Sequence, residues 1–289
     1  GVLRSMSDRG VEPLDERYVD LHAHSTASDG AVSPAALVEA ASRAKLQAIA
    51  ITDHDTIAGN DEAFATGASL GIRVVRGCEL SAYDGDLEIH LLALHIRDAG
   101  AIRPSLEGFQ RERVERGYAI VERLALAGVP VNIDDVLAEV AGGALGRPHI
   151  ARAMIRAGHV ADHRDAFDKY LGAGKPAYVP KPRLEIGDAI GLTHSAGALA
   201  IWAHPGRDGT RERLVRLAAL GLDGVEVRHP GHTPGDTQRL GRLAQELDLV
   251  PSGGSDWHGA TEGYRVIGNM HVPEAWLELQ DVRLATRVT

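Results

Sequence analysis

The sequence predicts an α/β protein built on a parallel sheet, open or closed into a barrel. Two observations carry that prediction. Short, β-rich apolar runs alternate with helical segments in the first and last thirds of the chain, which is the rhythm of βα units. The side chains best suited to hold metal ions fall just after several of those runs, on the rim where barrels of this class build their sites.

Residues 1–17 lack the apolar core of a secretory signal and read as a disordered leader. Tyr18–His22 is the first predicted strand. Ser33-Pro34 supplies an N-cap and a first-turn proline, opening a helix to about Lys45. Gln47–Thr52 is a second strand, Thr56–Leu70 a helix, and Ile72–Leu80 a third strand, followed by an extended Asp86–Ile96 segment. From 97 to 179 the chain turns helical and charged. Ser105–Ala127 is a long amphipathic stretch ended by Gly128, and shorter helices lie near 133–141, 147–157 and 162–170. This segment reads as an insertion capping the active-site face of a barrel made from 18–96 and 180–289. The βα rhythm resumes with a helix at Glu185–Ala196. Strands follow at Ala198–Ala203, Gly224–Arg228 and Leu249–Ser252, separated by helices near 210–220 and 234–247.

The composition narrows the function. A net charge of −9 argues against wholesale binding to a nucleic-acid backbone, so no duplex partner is expected. No apolar run approaches the ~18 residues of a membrane span. The single cysteine, Cys78, excludes an internal disulfide framework and suits a cytoplasmic setting. It reads as a small buried hydrophobe rather than a nucleophile.

Chemistry concentrates in Asp20-Leu21-His22-Ala23-His24-Ser25, followed at once by Ser28-Asp29-Gly30. Residues i and i+2 of an extended chain share a side, so His22 and His24 can converge on one ion. Asp53-His54 follows the second strand and Glu79 closes the third. His90 lies in Leu87–Leu94. His204 ends the strand before Pro205-Gly206, while Asp256 and His258 stand in Gly254-Ser255-Asp256-Trp257-His258.

Taken together, DLHAHS, SDG, TDH, the strand-end Glu79, His90, AHPGR and GSDWH resemble the PHP (polymerase and histidinol phosphatase) family, in order from about Tyr18 to Gly268. The resemblance implies a distorted, usually seven-stranded (β/α) barrel with two or three divalent ions at its mouth. Its pattern would give the first ion to His22, His24, Glu79 and Asp256. The second would fall to Asp29, His54 and His258. Glu79 would bridge to a third with His90 and His204. This N and O donor set suits manganese, with iron or zinc as alternatives. Clustered ions of this kind make phosphoester hydrolysis by a metal-bridging hydroxide the expected reaction.

Cations must then receive the rest of the substrate. Arg147, Lys175 and Arg207 are the candidates, in a chain whose stretch from Lys169 to Arg183 holds four cations and no acid. Arg147 with His149, Lys175 and Arg207 also fit a PHP subgroup in which RxH, KYL…GKP and AHPGR accompany action on nucleotide phosphates or short 5′-phosphorylated RNA. In that pattern His229 and His232 fall near the leaving group, where either is a candidate proton donor. Lys169, Lys181 and Arg183 divide between pocket and surface. Arg111-Glu112-Arg113 and Glu115-Arg116 read as a solvated helix face. His95, His159, His163, His194 and His271 read as structural or surface residues.

The expected activity is removal of the 3′-phosphate of a nucleoside 3′,5′-bisphosphate. The alternatives are a 5′-3′ exoribonuclease on short RNA, a histidinol phosphatase, and a non-catalytic metal-binding accessory module. The complete ligand set speaks against the last of these.

Overall fold

The computed structural model describes residues 16–140, 145–259 and 265–287; residues 1–15 of the expected leader lie outside them. The apolar runs become β1 (Tyr18–Asp20), β2 (Ala48–Ile51), β3 (Arg73–Asp84), β4 (Leu87–Leu94), β5 (Leu199–Trp202), β6 (Gly224–Arg228) and β7 (Val250–Gly253), with a short β8 (Val272–Pro273). Their order in the sheet is β7-β6-β5-β4-β3-β2-β1-β8. Just past β1 and β7 the sheet closes on itself: Leu21 N donates to Gly253 O at 3.0 Å and Asp256 N to His22 O at 2.8 Å. Gly254 permits this approach, since a Cβ there would stand 2.4 Å from His22 N. The result is the expected distorted barrel, with an eighth strand beside β1.

Strand direction departs from the all-parallel expectation. β1, β2 and β3 run parallel, as do β5, β6 and β7, but β4 is antiparallel to both of its neighbours. No helix separates β3 from β4. Only Gly85 and Asp86 do, and Gly85 takes a φ of 60° that a tight hairpin requires.

Two helices, α1 (Pro34–Arg43) and α2 (Asn60–Leu70), pack on each other and against β2 and β3. α1 is capped by Ser33, whose hydroxyl accepts from Ala36 N at 3.1 Å. Between β4 and β5 run α3 (Ala99–Leu126), α4 (Ile133–Val140), α5 (Arg147–Arg156) and α6 (His163–Ala166), the last continuing into a wide turn at Phe167–Leu171. α3 begins six residues before the expected Ser105. Asp98 caps it, and the helix runs through Pro104 at the loss of one backbone hydrogen bond. These helices share an apolar cluster that includes Ile120, Leu124, Val136, Ile150, Met154 and Leu171 and no barrel strand. After β5 come α8 (Arg211–Ala219), α9 (Pro234–Glu246) and α10 (Glu274–Arg287), with α7 (Ile186–Ser195) just before it.

Inside the barrel, Val19, Leu21, Ala50, Leu92, Leu94, Ile201 and Val250 pack together, joined by Leu277 and Leu284 of α10. Burying such side chains contributes about 1.5–3 kcal/mol each. The interior is therefore a packed core, and chemistry is left to the rim. No helix among the described residues is long and apolar enough to cross a membrane.

Candidate metal centre

The backbone past β1 stays extended, so His22 and His24 fall on one side, fully buried, with their Nε2 atoms 3.1 Å apart. Hydrogen bonds to the facing segment pin them, His24 N to Trp257 O at 2.9 Å among them. Asp20 and Asp53 do not join the cluster; they hold its loops. Asp20 accepts from Ser255 N at 2.9 Å and Gly268 N at 2.8 Å. Asp53 accepts from Ser25 N, Ser25 Oγ and Ser28 Oγ, each at 2.7 Å, which sets the turn that presents Asp29.

Glu79 stands at the middle. Its Oε2 lies 3.3 Å from His22 Nε2, 3.2 Å from His24 Nε2 and 3.3 Å from His54 Nδ1. Its Oε1 lies 2.9 Å from His90 Nδ1 and 3.1 Å from His204 Nε2. Asp256 Oδ1 comes within 3.1 Å of His24 Nε2. Asp29 faces His258 Nε2 at 3.3 Å and His54 Nε2 at 3.7 Å. All nine residues of the expected ligand set thus converge. His204 and Asp256 reach their places with φ of 34° and 50°, a left-handed backbone that costs of order 1–3 kcal/mol and persists where the surroundings enforce it.

The donor set suits divalent ions. His24 Nδ1 and His90 Nδ1 are buried without a hydrogen bond, the latter close to Glu79 but off the line of one. Burial opposes the charge on Glu79, yet the surrounding imidazoles, His54 and His22 foremost, hold its carboxyl well below the usual range. Burial likewise opposes protonation of His24, but hydrogen bonds to Asp256 and Glu79 push it up to about 10. Divalent ions bound there would offset these carboxylates in place of protons.

The cluster opens into a cavity of about 670 Å³. Asp29, His54, His90 and His204 line it, and so do Arg113, Arg116, Arg147, His149, Arg152 and Lys181. Arg147 is steadied by Leu171 O at 3.0 Å and by the Phe167 ring. His149 Nδ1 accepts from Gly146 N at 3.0 Å, leaving Nε2–H as its free donor. Burial and then Arg152 push its pKa down. Lys175 and Arg207 are exposed and are not among the residues lining this cavity.

His229 and His232 have both ring nitrogens engaged. His229 Nδ1 accepts from Gly231 N, so its Nε2–H donates to Asp256 Oδ2 at 3.2 Å. His232 Nδ1–H donates to Val227 O and its Nε2 accepts from Gly206 N. Neither lines the cavity. In this arrangement His229 steadies Asp256, and His232 braces the turn after His204.

A family model for the PHP domain matches residues 20–176. The chain belongs to the PHP family. PHP relatives extend over most of it. A 5′-3′ exoribonuclease of Haemophilus influenzae is 39% identical over 251 residues, 85% of this chain and 91% of that one. A 3′,5′-nucleoside bisphosphate phosphatase of Chromobacterium violaceum is 35% identical over 258 residues, 87% of this chain and 90% of that one. Among solved structures, a Bifidobacterium adolescentis protein named provisionally as a metal-dependent phosphoesterase superposes with a TM-score of 0.81. It is 34% identical, and the match covers 94% of this chain and 98% of that one.

Several residues of this PHP centre escaped the sequence reading. Glu226 lies fully buried beneath the cluster, with Oε1 3.0 Å from His22 Nδ1 and Oε2 accepting from His204 N at 2.7 Å. Arg265 pairs with Asp256 Oδ2 at 2.6 Å. The helix face expected in solvent is corrected in part: Arg111, Glu112 and Glu115 are exposed as expected, but two of its arginines are not. Arg113 pairs with Asp55, and Arg116, only 8% exposed, donates to Val179 O at 2.7 Å, because α3 turns this side toward the barrel mouth. Cys78 and His95 are buried as expected, the latter 2.9 Å from Gln280 Oε1.

Proposed function

We propose that this PHP chain removes the 3′-phosphate of a nucleoside 3′,5′-bisphosphate. Its family and relatives make it a metal-dependent phosphoester hydrolase. The finer reading rests on one observation. A single cavity of about 670 Å³ is lined by part of the donor cluster and by five cationic side chains, Arg113, Arg116, Arg147, Arg152 and Lys181. That gives two anion-seeking regions in a space of nucleotide size. The C. violaceum relative named for such a substrate supports it.

In this reading His22, His24, Glu79 and Asp256 hold one ion, Asp29, His54 and His258 a second, and Glu79 with His90 and His204 a third. Manganese is the metal proposed. Divalent ions held there supply an activated water and balance charge on the phosphate under attack. The chain's own residues do the rest. Arg147 offers a fixed guanidinium to the 5′-phosphate, and His149 Nε2–H a neutral donor beside it. Glu226 keeps the His22 proton on Nδ1, so that Nε2 faces the cluster as a lone pair. Residues 97–179, which bring Arg147 and His149 to the barrel mouth, act as the substrate cap.

The test is phosphate release by manganese-loaded protein from adenosine 3′,5′-bisphosphate and histidinol phosphate in parallel. Turnover of the bisphosphate at least tenfold above histidinol phosphate is expected. Metal-loaded protein that leaves the bisphosphate intact would refute the proposal.

A further inference from the structure

We propose that the end of the barrel away from the donor cluster carries a second anion site, which binds a phosphate dianion, either free or as a compact monoester. The site is a cavity of about 430 Å³ lined by Arg97, His194, Gly197, Ala198, Leu284 and Arg287. It forms where the segment leaving β4, the turn between α7 and β5, and the last turn of α10 meet. Leu94 pairs with Leu199 at this end, and from there β5 rises roughly 10 Å to Trp202, before His204 joins the metal cluster. The cavity shares no lining residue with the catalytic one.

Two of its cations share one acid. Asp223, only 2% exposed, pairs through Oδ1 with Arg287. Its Oδ2 accepts from His194 Nε2–H at 3.0 Å and from Ala200 N at 2.8 Å. His194 and Arg287 also stand in the last turns of α7 and α10, where a cation is favourable in any case. Arg97 has neither reason to be there. It lies between β4 and α3 and forms no ion pair with a described residue. The acids beside it are engaged elsewhere: Asp98 caps α3 through Ala101 N at 3.2 Å, and Asp281 holds Arg73 at 2.6 and 2.7 Å.

The backbone around Arg97 is fixed. Its N–H and that of Asp98 both donate to Ala196 O at 3.0 Å. Gly197, at a φ of 65°, lies against the Arg97 stem, where a Cβ would stand 3.3 Å from Arg97 Cβ. Two guanidinium groups set against one carboxylate leave a net positive charge in a concave space. Donors carried by separate elements suit the several oxygens of a phosphate better than the plane of a single carboxylate. Leu284 and Ala198, both buried, add an apolar wall, and a cavity of this size has room for the body of a small ester.

The experiment follows the His194 ring signal by NMR in the full chain with magnesium, which is diamagnetic. The signal is assigned by its loss in His194→Gln. Inorganic phosphate, adenosine 5′-monophosphate and succinate are titrated separately at constant ionic strength and about pH 8. At least one of the two phosphate probes should shift the signal saturably, and succinate should need about tenfold more. Tighter binding of the monophosphate assigns the site to an ester; tighter binding of the inorganic ion assigns it to free phosphate. Arg97→Met, at an exposed position, should raise the half-saturating concentration roughly tenfold or more, with the far-UV circular dichroism unchanged. Arg147→Met, at the other end of the barrel, should leave the curve where it is. A signal that neither phosphate probe shifts, or a curve that Arg97→Met does not move, would overturn the proposal. Succinate binding as tightly as phosphate would overturn it too.

Discussion

Replacing Glu226 by glutamine keeps its volume and removes its charge, and the wild-type geometry sets the consequence. A carboxylate only accepts, so both groups facing Glu226 are donors: His22 Nδ1–H at 3.0 Å and His204 N–H at 2.7 Å. A glutamine amide has one accepting oxygen, and its NH₂ must meet one of those donors. The ring escapes the clash by moving its proton to Nε2, the nitrogen that faces His24, Glu79 and Asp256. His22 then has no lone pair for an ion. A charge-assisted hydrogen bond is worth about 1.5–3 kcal/mol, and losing the partner of a ligating histidine typically weakens metal binding 10–100-fold. Manganese titrated into chelator-stripped protein should therefore reach half-maximal activity at roughly 10–100 times the wild-type concentration, with the far-UV circular dichroism unchanged. Half-saturation within twofold of wild type would refute the reasoning.

Arg147→Met should lower kcat/KM for the 3′,5′-bisphosphate about 10–100-fold, the worth of one charged phosphate contact. Nucleoside 3′-monophosphate, lacking the second phosphate, should be nearly unaffected, and an equal fall for both would remove Arg147 from the 5′-phosphate. Gly254→Ala places a methyl 2.4 Å from His22 N and 2.6 Å from His22 Cβ at the barrel seam. It should destabilise the fold by about 1–3 kcal/mol in urea melts and weaken metal binding; wild-type values for both would contradict the closure described. Asp84 is held below the usual carboxylate range by its hydrogen bond to Arg216, with Arg213 also beside it. A carboxyl whose folded pKa is depressed stabilises the protein above its unfolded pKa near 3.9, and loses that contribution as pH falls through the folded value. Asp84→Asn should lower Tm by about 2 °C at pH 7, and the gap should close as the pH drops below about 4; a gap independent of pH would exclude the ion pair as its source.

The metal cluster was legible because ion binding restricts both residue type and spacing. His22 and His24 at i and i+2 of a strand end, and acids and imidazoles just beyond other strands, leave few other readings. Glu226 was not legible. In Gly224-Val-Glu-Val-Arg it looks like one polar residue of an alternating strand, and its partner His22 lies 204 residues away. Helical periodicity showed that Arg113 and Arg116 share a face but not what that face meets. Their partners Asp55 and Val179 are 58 and 63 residues distant. The direction of β4 turned on Gly85, whose positive φ makes a tight hairpin that the extended reading of 86–96 did not specify. Lys175 and Arg207 show the converse limit. A motif can mark a cation without fixing where its side chain points, and both stand in solvent.

Anomalous diffraction from crystals of the manganese-loaded protein tests the central claim most directly. Peaks are predicted about 2.0–2.3 Å from the imidazole nitrogens and carboxylate oxygens of His22, His24, Glu79 and Asp256, with further density beside Asp29, His54 and His258. Manganese-loaded, catalytically active crystals with no anomalous peak among these residues would contradict it.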